Sequence, residues 1–438
     1  MVRFLVIAGL AVAAIIVALS FHQPPMRLMP TPVVFLDGAP NAFAANPNLV
    51  RDNSIELFYA TNRLPIGPRT NRVYAITPSR DLQMGVATIR IGDETTMWDT
   101  IYAMSTNTVE DRRPQLILDN LTELASLSDD GALSPGLRAW LKLIDTAIER
   151  SPDKDIIIFV HGANSTVERA AGQAAQLHHF TGQNSVVLLF AWPTAENFLR
   201  YSDDIETAFG AAPQLARLIK LLAVNTNARN IDVLTYSAGA TVGSDGLALV
   251  GREARRPGSP SPRLGEVYHA APDADFRGFV DDLRDYAKLA RRVSVAVNMG
   301  DSALRLSQTI NRASRAGRPD IAELSPNASR WLLEATTVHG LEIVRVRPEN
   351  IPALSARSHA FWYDDPWVSS DVLITFLFHL APADRGLERE EGAQGGELWT
   401  FPKDYLDRLP PVMDGLRDKV RSRAKPVAGP KTAIAAGA

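Results

Sequence analysis

A chain of 438 residues with 46% hydrophobic content can bury one large core or two moderate ones. Its 46 basic and 49 acidic residues are interspersed, and a net charge of -3 leaves no field suited to nucleic acid or an acidic polymer as partner. With no cysteine, disulfides, a thiolate nucleophile and cysteine zinc sites are excluded, and no histidine pair has metal-site spacing, so no metal or other cofactor is expected.

Arg3 precedes an uncharged run of 18 residues, Phe4 to Phe21, which as a helix would span roughly 27 Å at ~1.5 Å per residue. Residues 1–22 therefore read as a membrane anchor, with Arg3 cytoplasmic and the remainder exported. A cleaved secretory signal, with small residues around Ala18-Leu19-Ser20, is the alternative. Either puts the globular part in the cell envelope, anchored in the inner membrane facing the periplasm or secreted to the periplasm. Residues 23–50, with Pro24, Pro25, Pro30, Pro32, Pro40 and Pro47, read as a linker.

Ser54 to Thr61 alternates like a strand, Asn62 to Gly67 turns away, and Gly85 to Ile91 reads as its partner. Trp98 to Met104 is expected as a third strand or edge extension. Leu116 to Leu127 and Pro135 to Arg150 read as helices, the second with Leu137, Trp140, Leu141, Leu143, Ile144 and Ile148 on one face. From Asp155 onward strand, turn and helix repeat. Asp155 to Val160 ends in His161-Gly162-Ala163-Asn164-Ser165 before a helix to Phe180. Ser185 to Ala191 ends in Trp192-Pro193 before a helix over 205–224. Ile231 to Leu234 leads to the turn at Ser237, and Leu264 to Ala271 ends in Pro272-Asp273-Ala274-Asp275 before a helix over 279–289. Val293 to Asn298 ends in Gly300-Asp301, and Leu341 to Val346 precedes the loop with His359 and a helix over 368–380. Continuous apolar strands alternating with helices give an α/β class with a mostly parallel central sheet, helices on both faces, and chemistry at the carboxyl ends of the strands. The main domain is expected over 51–382, followed by an exposed loop and helical extension over 383–424 and a disordered tail over 425–438.

Thr235-Tyr236-Ser237-Ala238-Gly239 would place a serine on a sharp strand-to-helix turn, the nucleophile-elbow pattern with Thr235 where a glycine is usual. A capped tight turn is the bland alternative. A serine hydroxyl needs an adjacent base, and the base needs a carboxylate to fix its tautomer. Ser237, Asp301 and His359 follow strand ends in the chain order Ser, Asp, His of the α/β-hydrolase arrangement. Asp273 and Asp275 are rival acids, and Asp301 could serve as a helix cap instead. Among the other histidines, His161 supports the turn it precedes, His178 and His179 are expected on the surface at a helix end, His269 in the core or lining a site, and His22, His339 and His379 in no special role.

The set Tyr59 to Arg63, Phe159 to Asn164, Phe190 to Pro193, the Ser237 turn, Ala270 to Asp273, Asp301 to Leu304, Ser358-His359 and Asp371 resembles bacterial α/β-hydrolases of the uncharacterised esterase/lipase superfamily type, over about residues 54–380. Tyr236 and Ala238 depart from the His and Met usual there, and Thr235 from glycine. The resemblance implies an α/β-hydrolase fold but adds little about what is cleaved; with the triad and the apolar N-terminal run the chain is expected to be an exported, membrane-anchored serine hydrolase cleaving carboxylic esters, lipid esters among them. Ser237 would be the nucleophile, His359 the base and Asp301 the acid. The backbone of Gly162, Ala163 and Ala238 would form the oxyanion hole, and His161, Trp192, Tyr236, Phe361 and Trp362 the pocket walls. The same triad would serve an amidase or acyltransferase, and a non-catalytic envelope binding module is the reading from another class.

Overall fold

The computed structural model describes residues 25–36, 42–107, 113–128, 131–393 and 395–424. Three antiparallel strands open the sheet: β1 (Ser54–Ile66), β2 (Val73–Ile91) and β3 (Leu116–Leu127). Its middle is parallel: β4 (Ile156–Val160), β5 (Val186–Ala191), β6 (Ile231–Tyr236), β7 (Leu264–Ala270), β8 (Arg292–Val297) and β9 (Leu341–Arg345). A hairpin of β10 (Glu388–Glu391) and β11 (Glu397–Thr400) closes it, and the strand order across the sheet is β10-β11-β9-β8-β7-β6-β4-β5-β1-β2-β3. The mostly parallel sheet with helices on both faces is the expected class.

The helices are α1 (Trp98–Thr106), α2 (Pro135–Arg150), α3 (Val167–Phe180), α4 (Tyr201–Asn225), α5 (Gly239–Ala254), α6 (Phe276–Tyr286), α7 (Ser302–Asn311), α8 (Pro326–Val338), α9 (Phe361–Asp364), α10 (Pro366–Phe378) and α11 (Tyr405–Ala424). Because strand side chains alternate between faces, β4 feeds two cores. Ile157 and Phe159 join the core with α3, α10 and α11, whereas Ile156, Ile158 and Val160 join the one with α2, α4, α5, α6 and α8. This double burial is why the run carries no polar residue.

Several expectations are corrected. Leu116–Leu127 is a strand, with Leu121, Glu123, Ala125 and Leu127 buried at a period of two; its apolar spacing also fits a helix turn, and pairing with the long β2 decides. Trp98–Thr106 is a helix whose Trp98 and Tyr102 rings pack on Phe43. Leu143, expected on the buried face of α2, is exposed. The proline-rich segment is no free linker where described: Met26, Leu28, Met29, Val34, Phe35 and Phe43 are buried core residues, because the apolar residues between the prolines reach the face of α3 and α10. His179 is likewise buried, meeting Ser105 at 2.7 Å, and burial pushes its pKa down to about 3. His178 is half-buried and is pushed down to about 4 by burial. The charged stretch after 382 holds a fully buried Arg385 and the β10–β11 hairpin rather than a simple exposed loop. The apolar run Phe4 to Phe21 and the tail from 425 lie outside the described residues, and among the described residues no helix is long and apolar enough to cross a membrane.

Candidate active site

Ser237 sits between β6 and α5 with a φ of 53°, in the left-handed region that a non-glycine residue enters only when its surroundings hold it there. Its N–H donates to the Ala270 carbonyl at 3.1 Å, and its carbonyl accepts from Ala240 and Asp273, both at 2.9 Å. Two glycines make the turn sterically feasible. A Cβ on Gly239 would stand 2.4 Å from the His161 carbonyl oxygen, and one on Gly162 would stand 2.9 Å from the Ser237 Cβ. Thr235, the departure from the usual glycine, is accommodated by Gly243 on α5, where a Cβ would lie 2.4 Å from the threonine methyl. The Thr235 hydroxyl meets His269 Nδ1 at 2.7 Å, and His269 Nε2 meets the Tyr286 hydroxyl at 2.8 Å. His269 is fully buried and its pKa is pushed down to about 3, so it is a neutral core link.

The loops after β8 and β9 bring the other two side chains to Ser237. His359 Nε2 lies 2.8 Å from Ser237 Oγ, and His359 Nδ1 lies 2.6 Å from Asp301 Oδ2. A carboxylate only accepts, so Nδ1 carries the proton and Nε2 is left to accept from the serine hydroxyl. Asp301 divides its oxygens between two tasks: Oδ1 accepts from the Ala303 and Leu304 amides at 2.9 and 3.0 Å, capping α7, while Oδ2 faces the imidazole. The two loops are tied together by Asn298 Nδ2, which donates to the Ser358 carbonyl at 2.8 Å, and they approach so closely at Gly300 that a Cβ there would stand 2.3 Å from the Ala356 oxygen. Ser237 is 8% exposed and the His359 side chain 18%, so the pair is reachable from solvent while Asp301 is not.

The rival acids are engaged elsewhere. Asp273 is buried and accepts from the Tyr201 hydroxyl, the Ser307 hydroxyl and Arg315 Nε at 2.5, 2.6 and 2.6 Å. Asp275 caps α6 through the Gly278 amide at 3.0 Å. Of the proposed pocket walls, His161, Trp192, Phe361 and Trp362 are spent on packing: all four are almost completely buried, His161 and Trp192 stack on one another at 5.4 Å, and Trp362 lies 5.4 Å from Phe159. Burial, with the nearby Arg63 charge, pushes His161 down to about 3, which keeps it neutral. Tyr236, by contrast, stands beside the site, its ring 5.3 Å from that of His359. Among the described residues the amides of Ala163 and Ala238 have no acceptor, so both remain open beside Ser237.

Beneath the site, at the amino ends of the strands, lies a cluster that sequence reasoning did not anticipate. His379 bridges Asp155 and Glu266 at 3.2 and 3.4 Å, and although burial opposes it, these partners raise its pKa to about 9. Asp153, Asp155 and His379 have ligand types suited to a divalent cation, but Arg229 already ion-pairs with both aspartates at 3.2 Å, so the group neutralises itself.

A turn-borne serine reached by a histidine at the carboxyl ends of parallel strands, with the carboxylate from the next strand end behind it, sets the fold alongside a known one. Residues 138–351 match the model of a family described as alpha/beta hydrolase of unknown function (DUF900). The chain has the α/β-hydrolase fold. Two solved structures are similar to the chain at low identity. One, a presumptive cell surface hydrolase from Lactobacillus plantarum WCFS1, is 12% identical over 51% of this chain and 91% of its own, with a TM-score of 0.31. The other, an esterase from Pyrobaculum calidifontis, is 14% identical over 62% of this chain and 75% of its own, with a TM-score of 0.23. No curated protein matches the α/β hydrolase.

Proposed function

We propose that this α/β hydrolase is a serine hydrolase that cleaves carboxylic esters through an acyl-enzyme. The reading is carried by the unbroken line from Asp301 Oδ2 through His359 to Ser237 Oγ, with links of 2.6 and 2.8 Å. Ser237 Oγ attacks the ester carbonyl as its proton passes to His359 Nε2, and Asp301 stabilises the imidazolium so formed. The oxyanion is received by the Ala163 and Ala238 amides beside the Gly162 turn, a stabilisation of roughly 2.7–4 kcal/mol per donor. Collapse expels the alcohol, which takes the proton back from His359. Water then enters, loses a proton to the same nitrogen and releases the acid, regenerating the hydroxyl. The apolar run Phe4 to Phe21 supports an exported enzyme held at the membrane, where lipid esters are within reach.

A fluorophosphonate probe tests the chemistry. Wild-type protein should be labelled and Ser237→Ala should not, whereas a folded wild type that takes no label would make the chain a binding module on the same fold. A panel of p-nitrophenyl esters of increasing chain length, run beside amide analogues, separates esterase from amidase, and added acyl acceptors expose a transferase.

A further inference from the structure

The turn that carries Gly162 and Ala163 is pinned from outside by two charged residues to which the triad chemistry gives no part. Arg63, at the far end of β1, is fully buried. Its Nη2 donates to the Ser165 carbonyl at 3.0 Å and to the Thr194 hydroxyl at 3.1 Å, its Nε to the Trp192 carbonyl at 3.1 Å, and its Nη1 pairs with Glu196 at 2.5 Å. Thr194 Oγ1 closes the triangle by donating to the Ser165 carbonyl at 2.6 Å. From α4, Asp204 accepts the Asn164 amide on one oxygen at 2.8 Å and the Ala195 amide on the other at 2.5 Å. One guanidinium and one carboxylate thus each hold both the 162–165 turn and the 192–196 turn. On the near side, Trp192 Nε1 donates to the His161 carbonyl at 2.7 Å.

We propose that Arg63 and Asp204 are positioning residues that hold the Ala163 amide against the carbonyl attacked by Ser237. The inference rests on the serine hydrolase reading for its kinetic effect, but not for the clamp. Three backbone groups around Ala163 are committed: the His161 carbonyl to Trp192, the Asn164 amide to Asp204, the Ser165 carbonyl to Arg63 and Thr194. Asn164 and Glu196, at the two turns, hold φ values of 51° and 54°, conformations that persist where neighbours over-determine them. Burying a guanidinium and a carboxylate is a poor way to gain stability alone; fixed donors with no reorganisation at the moment of reaction are what catalysis draws on.

The full-length protein tests this with Arg63→Met, Arg63→Lys, Asp204→Asn and Thr194→Val. Hydrogen exchange reads the clamp without reference to activity: the Asn164 and Ala195 amides should exchange at least tenfold faster in Arg63→Met and Asp204→Asn, with the rest of the sheet unchanged. On a soluble p-nitrophenyl ester, Arg63→Met should lose about 10²-fold in kcat, the effect of a reacting group misplaced by ~1 Å, with KM within threefold. Affinity for a trifluoromethyl ketone should fall in parallel, and Arg63→Lys should recover part of both. Unchanged exchange in both variants overturns the clamp whether or not the protein is an enzyme. Faster exchange with kcat within threefold of an active wild type overturns the positioning role alone. A wild type with no turnover and no fluorophosphonate label sinks the hydrolase reading, and the kinetic role with it, while exchange still decides the clamp. If Arg63→Met fails to fold, Asp204→Asn and Thr194→Val carry the same comparisons.

Discussion

Replacing Asp301 by Asn separates the two tasks of one side chain. In the wild type Oδ1 caps α7 through two amides and Oδ2 accepts from His359 Nδ1. An asparagine has one acceptor and one donor group. If its oxygen keeps the cap, its NH₂ faces Nδ1 and forces the tautomer with the proton on Nε2, which then cannot take the proton of Ser237. If it turns over, its NH₂ meets the Ala303 and Leu304 amides, donor against donor, and the cap worth about 1 kcal/mol is lost. The first state is favoured because two amides outweigh one imidazole. Turnover should therefore drop on the order of 10⁴, the loss known for the wrong tautomer in a serine triad, or about 5.4 kcal/mol of transition-state stabilisation at ~1.36 kcal/mol per factor of ten. Stability should change by less than about 1 kcal/mol. The assay is kcat/KM on a short p-nitrophenyl ester beside a urea melt, with Asp273→Asn as control. That control leaves Arg315 paired less well in a buried site, so it should cost roughly 3 kcal/mol of stability yet keep turnover per folded molecule within about tenfold. Turnover of Asp301→Asn within tenfold of wild type, or Asp273→Asn losing the larger factor, would refute the tautomer argument and move the acid to the end of β7.

Further expectations can be checked on the same protein. His359→Ala should abolish acylation of Ser237 at neutral pH with the melt unchanged, and near-normal labelling would require another base. Because the folded pKa of His379 is raised from 6.5 to about 9, its ion pairs should contribute about 3 kcal/mol, at ~1.36 kcal/mol per pKa step. That contribution is complete below the unfolded pKa and fades as pH rises from about 6.5 through about 9; His379→Gln should flatten this part of the stability profile, and an unchanged profile would rule the pairing out. Arg385→Met should cost about 3–5 kcal/mol in urea unfolding, because Asp371, 2.7 Å away, would remain buried without its cation and Glu342, 3.1 Å away, would keep only Arg292 at 3.5 Å. Thr235→Gly, which restores the usual elbow residue, should lose stability without gaining turnover, since His269 Nδ1 loses its partner at 2.7 Å; a gain in both would show that Thr235 is a defect.

The middle of the sheet was legible because a parallel strand covered on both faces leaves a continuous apolar run such as Ile156 to Val160, ended by the turn at Gly162. The antiparallel edge was not. Leu116 to Leu127 has apolar residues at spacings that serve a helix or a strand, and only β2, paired with it along ten register positions from Leu82 to Ile91, settles the matter. The proline-rich stretch misled for a related reason: proline shapes the backbone, but Val34, Phe35 and Phe43 go where apolar surface is open, which depends on helices far along the chain. Ser237, Asp301 and His359 could be singled out because each follows a strand that is itself readable. Arg63 and Asp204 could not, since one lies in a strand and the other in a helix, with nothing local to separate them from ordinary charged residues.

The two ends of the parallel strands use charge differently. At the amino ends Asp155, Glu266, Arg229 and His379 pair with one another, and burial raises Asp232 well above the usual carboxylate range, so that the neighbouring like charges need not coexist. At the carboxyl ends Arg63 and Asp273 are also ion-paired, with Glu196 and Arg315, but the charges of Asp301, Arg63 and Asp204 are in addition turned onto backbone groups and an imidazole. Those backbone groups belong to segments with left-handed residues at Asn164, Glu196, Ser237 and Ala271, which an L-residue adopts at a cost of order 1–3 kcal/mol each. Left-handed residues also stand at the amino ends, at Lys154, Gln183, Arg263 and His379, so it is the hydrogen bonds holding Asn164 and Ser237, rather than where the strain falls, that keep the donors in place before substrate arrives.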